Sequence, residues 1–198
     1  MDLFEKWGMR ETGLLTFAHS PTHIGLYQKL GYWPRFLTAI MSKAVTVGAA
    51  SRVKYSALDE RSHGQVVTAC RELTDSIDEG LELTSEIRSL NDPKLGDRLL
   101  LWDSDLLEAF AVCHCDNGSE ADEETCYIKF VAARPSSRAA NSFELLDACE
   151  ALAGERGLKR IEAGVNLNRS DAYRQMLRRG FRIDIQGVAM HKAQRPCL

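Results

Sequence analysis

Apolar positions along the chain fall into short runs and two distinct periodicities. Leu14 to Ala18 is apolar and brief, and predicts a buried strand. Ser20 then offers a helix N-cap and Pro21 a first helical residue, so a helix is predicted from there to Leu30. Phe36 to Ala44 is a further strand candidate, and Asp2 to Trp7 reads as the end of a helix stopped near Gly8. Further on, Val66 to Leu73 predicts a short helix. Asp75 to Leu90 predicts a second, with Ile77, Leu81, Ile87 and Leu90 on one stripe. Arg98 to Trp102 and Leu106 to Cys115 predict a strand pair about Asp103-Ser104-Asp105, and Thr125 to Ala133 a strong strand. Asn141 to Ala153 is amphipathic, with Ser142, Leu145, Leu146, Cys149 and Leu152 along one face. Leu158 to Val165 alternates, placing Ile161, Ala163 and Val165 on one side of a strand. A last helix, Asp171 to Arg179, precedes two strands at Phe181 to Ile185 and Gly187 to Lys192. Strands and helices mixed in this order predict an α/β (α+β mixed) fold, a central mixed sheet with helices on both faces.

Two of these junctions are alike. LYQKLGYWPRFLTAIMSK, ending at Lys43, aligns without a gap to QMLRRGFRIDIQGVAMHK, ending at Lys192. Gly31, Tyr32, Met41 and Lys43 meet Gly180, Phe181, Met190 and Lys192, each 149 positions further on. A glycine just past a helix takes the left-handed conformation without a Cβ penalty, and the aromatic then enters a sheet. Helix–glycine–strand junctions are common, but the ungapped match favours duplication. A spacing of 149 is about one domain. Only 30 residues precede Gly31, so the first copy is expected to be partial.

The composition narrows the class. With 44% hydrophobic and 27% charged residues and a formal net charge of −3, the chain is expected to be globular, with no global pull toward nucleic acid. No apolar run approaches the ~20 residues a membrane span needs, and the N-terminus lacks the pattern of a signal peptide. A cytoplasmic location is the expectation. Six cysteines (Cys70, Cys113, Cys115, Cys126, Cys149, Cys197) are scattered without a CxxC pair and are expected as free thiols. On a strand, Cys113 and Cys115 share one face while His114 points to the other, so the three do not converge on a metal. No metal is expected. The acidic loop of residues 116–124 reads as solvated surface, with docking of a basic partner as a weaker use.

The helix–Gly–aromatic ending and the element order resemble the GNAT superfamily of acetyl-CoA-dependent N-acetyltransferases. His23 to Tyr32 is similar to the family's AxxLYxxxGF ending, and Ala172 to Phe181 keeps the alanine and the Gly-aromatic pair. The resemblance covers residues 53–193 as a whole domain. It implies residues 1–45 as the last part of a truncated repeat, 46–62 as a linker and 63–198 as the complete domain, with 53–56 as the candidate for its first strand.

The resemblance also implies a mechanism. Acetyl-CoA would pair its pantetheine amides with the fourth strand, placing Lys129, Val131 and Ala133 at the cofactor. Its pyrophosphate would sit on backbone N–H groups at the start of the next helix. The family's loop there, Q/R-x-x-G-x-G/A, aligns with Ser137, Arg138, Ala139, Ala140, Asn141 and Ser142. Both glycines are replaced, by the still small Ala140 and Ser142, and Arg138 is placed to pair with a phosphate. The reaction implied is direct attack of a primary amine, of a small molecule or peptide, on the thioester. It needs a base for the ammonium proton and an acid for the leaving thiolate. The family's acid is a tyrosine four residues before the terminal glycine. Met176 stands there, and Tyr173, one turn earlier, is the substitute or a packed aromatic. Tyr27 holds the equivalent place in the first copy and reads as structural. Glu124 and Glu162 are candidate bases or surface carboxylates. Asn168 is a cofactor contact, or shares with Ser170 the capping of the last helix. The alternative is a catalytically inactive GNAT-like module that binds a ligand or a partner.

A partial first copy exposes sheet edges. Its strands extend the sheet of the second domain, pair with a second chain to give a homodimer, or belong to a protein that begins upstream.

Overall fold

The structure is a computed structural model that describes residues 2–7, 9, 11–46, 53–79, 81, 83–90, 92–135, 137, 138, 140 and 144–193. Its contacts divide the chain into two compact units. One is central (Lys43–Ala163), and the other joins Met1–Ser42 with Gly164–Leu198.

The central unit is built around a strand buried on both sides. In β5 (Leu106–His114), Ala109 through Cys113 are at most 1% exposed. Such a strand needs cover on both faces. One cover is α3 (Glu60–Asp75), whose Val66, Val67, Cys70 and Leu73 pack with Phe110 and Val112 of β5. The other is α5 (Glu144–Glu155), whose Cys149 reaches Cys113 on the opposite face, Sγ to Sγ 3.5 Å. Burying Leu145 and Leu152 of α5 stabilises this contact by about 1.5–3 kcal/mol each. The strands run in the order β7 (Arg160–Asn166), β6 (Thr125–Ala133), β5, β4 (Gly96–Asp103), β3 (Val53–Lys54). β6 and β7 are parallel and the other neighbours antiparallel, so the sheet is mixed.

The helices between β3 and β4 differ from the sequence expectation. The first starts earlier than Val66, because Asp59 caps it by accepting the Ser62 N–H at 2.8 Å. The second does not run from Asp75. Thr74 and Ser76 donate their hydroxyls back to the carbonyls of Arg71 and Leu73, and such bonds compete with a continuing helix. Only α4 (Thr84–Ser89) forms there, with Ile87 still buried.

In the other unit three strands run β1 (Glu11–Phe17), β8 (Arg182–Ala193), β2 (Trp33–Ala44), all antiparallel. Both N-terminal strands thus pair with the last strand of the chain. α2 (Pro21–Lys29) lies between β1 and β2 in sequence, and Ser20 caps it with Pro21 in its first turn. α6 (Ser170–Arg178) lies between β7 and β8. The element bounds repeat. β1, α2 and β2 begin and end 149 positions before β7, α6 and β8. Gly31 and Gly180 have φ of +86° and +90°, the left-handed turn expected of each.

The hydrogen bonds repeat as well. Ala18 N–H donates to the Gln186 carbonyl at 3.2 Å, and at the equivalent positions Leu167 N–H donates to Leu37 at 2.9 Å. The short helix α1 (Asp2–Lys6) joins the pattern. Its Trp7→Leu3 and Met9→Phe4 backbone bonds recur as Arg156→Leu152 and Leu158→Ala153 at the end of α5. The β2–β8 ladder is symmetric under the same shift: Trp33↔His191 maps onto Ser42↔Arg182, and Thr38↔Gly187 onto itself.

The two final strands expected from the sequence are one strand, β8. Gly187 does not break it. A Cβ there would meet the Leu15 side chain at 2.8 Å and the Thr16 carbonyl at 3.1 Å, so the glycine serves a close approach of β1.

Candidate active site

Two ladders of the central unit are irregular: β5 carries an extra residue, Glu108, against β4, and β6 is irregular against β5. β6 pairs with β5 from Tyr127↔His114 to Ala133↔Ala109, but Phe130 faces Val112 while Ile128 faces Cys113. Lys129 is therefore the extra residue of a β-bulge, which bends the strand and re-aims side chains. On its other side β6 pairs in parallel with β7 from Thr125↔Arg160 to Ile128↔Ala163, and there the ladder ends. β6 continues through Lys129–Ala133 without a ladder on that side, among the described residues. That leaves main-chain donors and acceptors for an extended ligand to pair with. Val131 is 40% exposed on this stretch.

Downstream of β6 the chain turns toward α5. Ser137 accepts the Ala140 N–H at 3.0 Å through its hydroxyl, as an N-cap does. Arg138 is mostly exposed and pairs with Glu144 at 3.2 Å. Ala139, Asn141 and Ser142 lie outside the described residues.

Of the two carboxylates singled out by sequence, Glu124 sits at a turn with φ +54° and pairs with Lys159. Glu162 lies in β7 opposite Tyr127, one pair before the ladder ends, and its carboxylate meets Arg160 at 2.9 Å. Tyr127 was missed in the sequence, where it read only as part of a strong strand. Burial pushes its phenol pKa up, so the group stays protonated. Beside it, on the same ladder, is His114, 5% exposed, with ring centroids 6.3 Å apart. His114 Nδ1 accepts the Glu120 N–H at 3.1 Å, so Nε2 carries the proton, and it has no partner among the described residues. Burial holds the His114 pKa down. Burial also works against the Lys129 ammonium, but its bond to Glu120 outweighs that and raises its pKa. Lys129 thus has an ion-pair partner of its own. The arrangement joins a proton acceptor, Glu162, to a neutral donor, Tyr127, where two parallel strands part.

The other candidates belong to the second unit. Tyr173 is half-buried in the first turn of α6, and Met176, four residues before Gly180, is 4% exposed. The expected capping of α6 by Asn168 or Ser170 is not observed. Arg169 is the cap residue and makes no side-chain bond. Asn166 instead accepts the Asn168 N–H at 2.9 Å, closing a turn one step upstream. Tyr27 packs edge-on against Tyr32 at 6.4 Å, beside a small core of Tyr32, Val188 and Met190.

The cysteines are in the places the alternation predicts. Cys113 and Cys115 share a face, with Cys149 against the first and Cys126 against the second, 3.8 Å away. All four are buried and free, and the pKa values of Cys113, Cys115 and Cys126 are raised, so those three stay thiols.

A mixed α/β sheet covered on both faces, antiparallel up to a bulged strand and parallel beyond it, is the fold of the GNAT N-acyltransferases. A GCN5-related N-acetyltransferase from Sphaerobacter thermophilus matches all of this chain with 67% of its own length, at 17% identity and a TM-score of 0.63. A GNAT-family acetyltransferase from Colwellia psychrerythraea matches 92% of this chain with 65% of its own, at 13% identity and a TM-score of 0.61. A tandem GNAT protein from the clavulanic acid biosynthesis pathway matches 100% with 68%, at 11% identity and a TM-score of 0.60. The chain thus spans about two thirds of the length of each. No family model matches the sequence, and no curated protein does.

Proposed function

We propose that this chain is an N-acetyltransferase, moving the acetyl group of acetyl-CoA directly onto a primary amine of a small molecule or peptide. The observation that carries this reading is the unladdered edge of β6 over Lys129–Ala133, immediately after the bulge. Pantetheine is an extended chain with two amides, and a free strand edge offers the complementary donors and acceptors. Lys129, Val131 and Ala133 are its proposed contacts. The start of α5 is the proposed pyrophosphate seat, through Ser137, Arg138, Ala139, Ala140, Asn141 and Ser142. The Ala140 N–H now donates to Ser137, and in the proposal the pyrophosphate takes the place of that hydroxyl. Among the described residues Arg138 pairs with Glu144, an exposed ion pair of little energy that a phosphate can replace. Asn168 is a further proposed cofactor contact.

In the proposed reaction Glu162 takes the ammonium proton. The freed amine attacks the thioester carbonyl carbon, the C–S bond breaks, the thiolate leaves with a proton from Tyr173, and the second proton shed by the new amide nitrogen passes through solvent to restore Tyr173. Tyr127, opposite Glu162, orients the amine by hydrogen bonding. Glu124, tied to Lys159 at the far end of the ladder, is the second candidate base.

The matching units support a tandem ancestry, with residues 1–45 the last part of one copy, 46–62 a link and 63–198 the second copy. No helix among the described residues is long and apolar enough to cross a membrane. A reducing cytoplasmic setting is part of the proposal, since the described thiols are free.

The test is calorimetric titration with acetyl-CoA at near-physiological salt, followed by an amine screen read by CoA thiol release. Saturable one-site binding and amine-dependent release are expected. A folded chain that binds no acyl-CoA would sink the proposal. Binding without turnover across the screen would favour the inactive module.

A further inference from the structure

The β1–β8–β2 sheet has a covered face and an open one. On the covered face Val188 and Met190 are at most 7% exposed, packed with Tyr32, Leu14, Ile24 and Tyr27. The open face is fixed by three observations. The Glu11–His191 pair at 2.8 Å puts alternate residues of β1, hence Leu15 and Phe17, on the side of His191. The ladder puts Trp33 opposite His191 and Ile40 opposite Ile185 on that side. The repeat then relates Phe36 to Ile185. Leu15, Phe17, Trp33, Phe36 and Ile185 are 44–61% exposed. Leu14 and Leu15 are chemically the same, yet Leu14 packs in the small core while Leu15, lying over Gly187, stays half exposed.

We propose that this face is where a second copy of the chain packs, sheet on sheet, about a twofold axis. Area favours that occupant. At roughly 200 Å² per large side chain, these five leave on the order of 500 Å² open to water. A twofold contact counts the patch twice and so reaches about 1,000 Å², the lower range of a specific interface. Charge favours it too. Glu11 and His191 are hydrogen-bonded to each other at the rim, and the five residues of the patch carry no charge for a charged partner to read. Twisted sheets stack face to face about 10 Å apart, a gap that large aromatic side chains fill. The inference is independent of the acetyl-transfer reading, and it differs from pairing through the free edge of β1.

The experiment is sedimentation velocity on the full chain at micromolar concentration. The expected mass is twice 22.1 kDa. Phe17→Lys and Phe36→Lys lie on different strands at exposed positions. Each should retain the wild-type far-UV spectrum and weaken dimerisation at least a hundredfold. If one fails to fold, the other decides. Leu26→Lys, on α2 and outside the patch, should leave the dimer intact. A monomeric wild type overturns the proposal. So does a dimer that survives the folded lysine variants, which would place association at the β1 edge or elsewhere.

Discussion

The unit β1–α2–β2 and the unit β7–α6–β8 have the same skeleton and different surroundings. Element lengths, glycine φ values and ladder register coincide at a shift of 149. The side chains between those fixed points do not. Where the second unit has Glu162 the first has Gly13, and where the first has Tyr27 the second has Met176. β7 carries β6 along its outer side, while β1 pairs with β8 alone. The difference teaches that the skeleton is specified by few positions: a glycine after the helix, an aromatic after the glycine and a buried methionine in the strand. The remaining positions were free to diverge, so the proposed chemistry rests on one unit only.

The largest effect should come from breaking that asymmetry. Glu162→Gln is expected to lower kcat/KM for amine acetylation by about 100- to 10,000-fold, the usual worth of a general base, with acetyl-CoA affinity unchanged. Gly13→Ala should leave turnover alone, since its Cβ would meet the His191 ring at 3.4 Å and the Met190 carbonyl at 3.7 Å, close to ordinary contact. Equal losses at both positions would erase the functional difference between the units. The skeleton should behave in the opposite way. Met41 and Met190 are each 0% exposed, and each truncation to alanine should cost about 2–5 kcal/mol in urea unfolding. Costs differing by more than that spread would mean that the second unit, not the pair, holds the sheet.

A smaller effect separates the two equivalent lysines. Lys43 bonds Glu150 at 2.7 Å, and Thr46 adds two bonds to the same carboxylate. The side chain of Lys192 instead lies against Gly31. Burial pushes the Glu150 pKa up, but the bonds from Lys43 and Thr46 outweigh it and the net shift is down. A lowered folded pKa adds stability that is fully present above the unfolded value, 4.5, and is lost as pH falls through the folded one. Glu150→Gln should therefore cost about 1–2 kcal/mol at pH 7, and its stability curve should converge on wild type below 4.5. Lys192→Met should leave the acid limb of the curve unchanged. Below these lie the turn glycines. Gly31→Ala and Gly180→Ala each force a Cβ into the left-handed region, at about 1 kcal/mol, and Gly31→Ala should cost slightly more because its Cβ must also displace the Lys192 side chain, 3.3 Å away.

How much of this was legible in the sequence follows the same division. The glycine–aromatic junctions, the alternation of β5 and the bounds of β6 depend on local chemistry and are plain in the residues. The break between α3 and α4 was not, because the stripe Ile77, Leu81, Ile87, Leu90 mimics a helix while two hydroxyls turn the chain away from one. The bulge at Lys129 was not legible either. It is a shift in register between β5 and β6, and nothing in either strand alone marks it. Tyr127 and His114 were hidden for the same reason, since only the register sets them side by side next to Glu162. The strand candidates 14–18 and 36–44 were found, but their partner was set by a ladder between opposite ends of the chain.

The smallest expected effect tests how far each copy depends on its own helix start. Ser20 caps α2, its hydroxyl accepting the His23 N–H at 3.4 Å, and Pro21 fixes the first turn. At the equivalent position α6 has Arg169, which makes no side-chain cap bond. Ser20→Ala should destabilise the chain by about 0.5–1 kcal/mol, the low end for a cap because the bond is long and exposed. Arg169→Ser, the reverse change in the other copy, should stabilise it by about the same amount. Thermal unfolding of the two variants and their combination decides the matter. Opposite shifts that cancel in the double variant would show that the two helix starts are energetically equivalent and independent, as expected for sites that share no contact. A neutral Arg169→Ser would mean that the turn closed by Asn166 already serves α6, and that the two copies diverged in how they begin their helices as well as in what they carry on their strands.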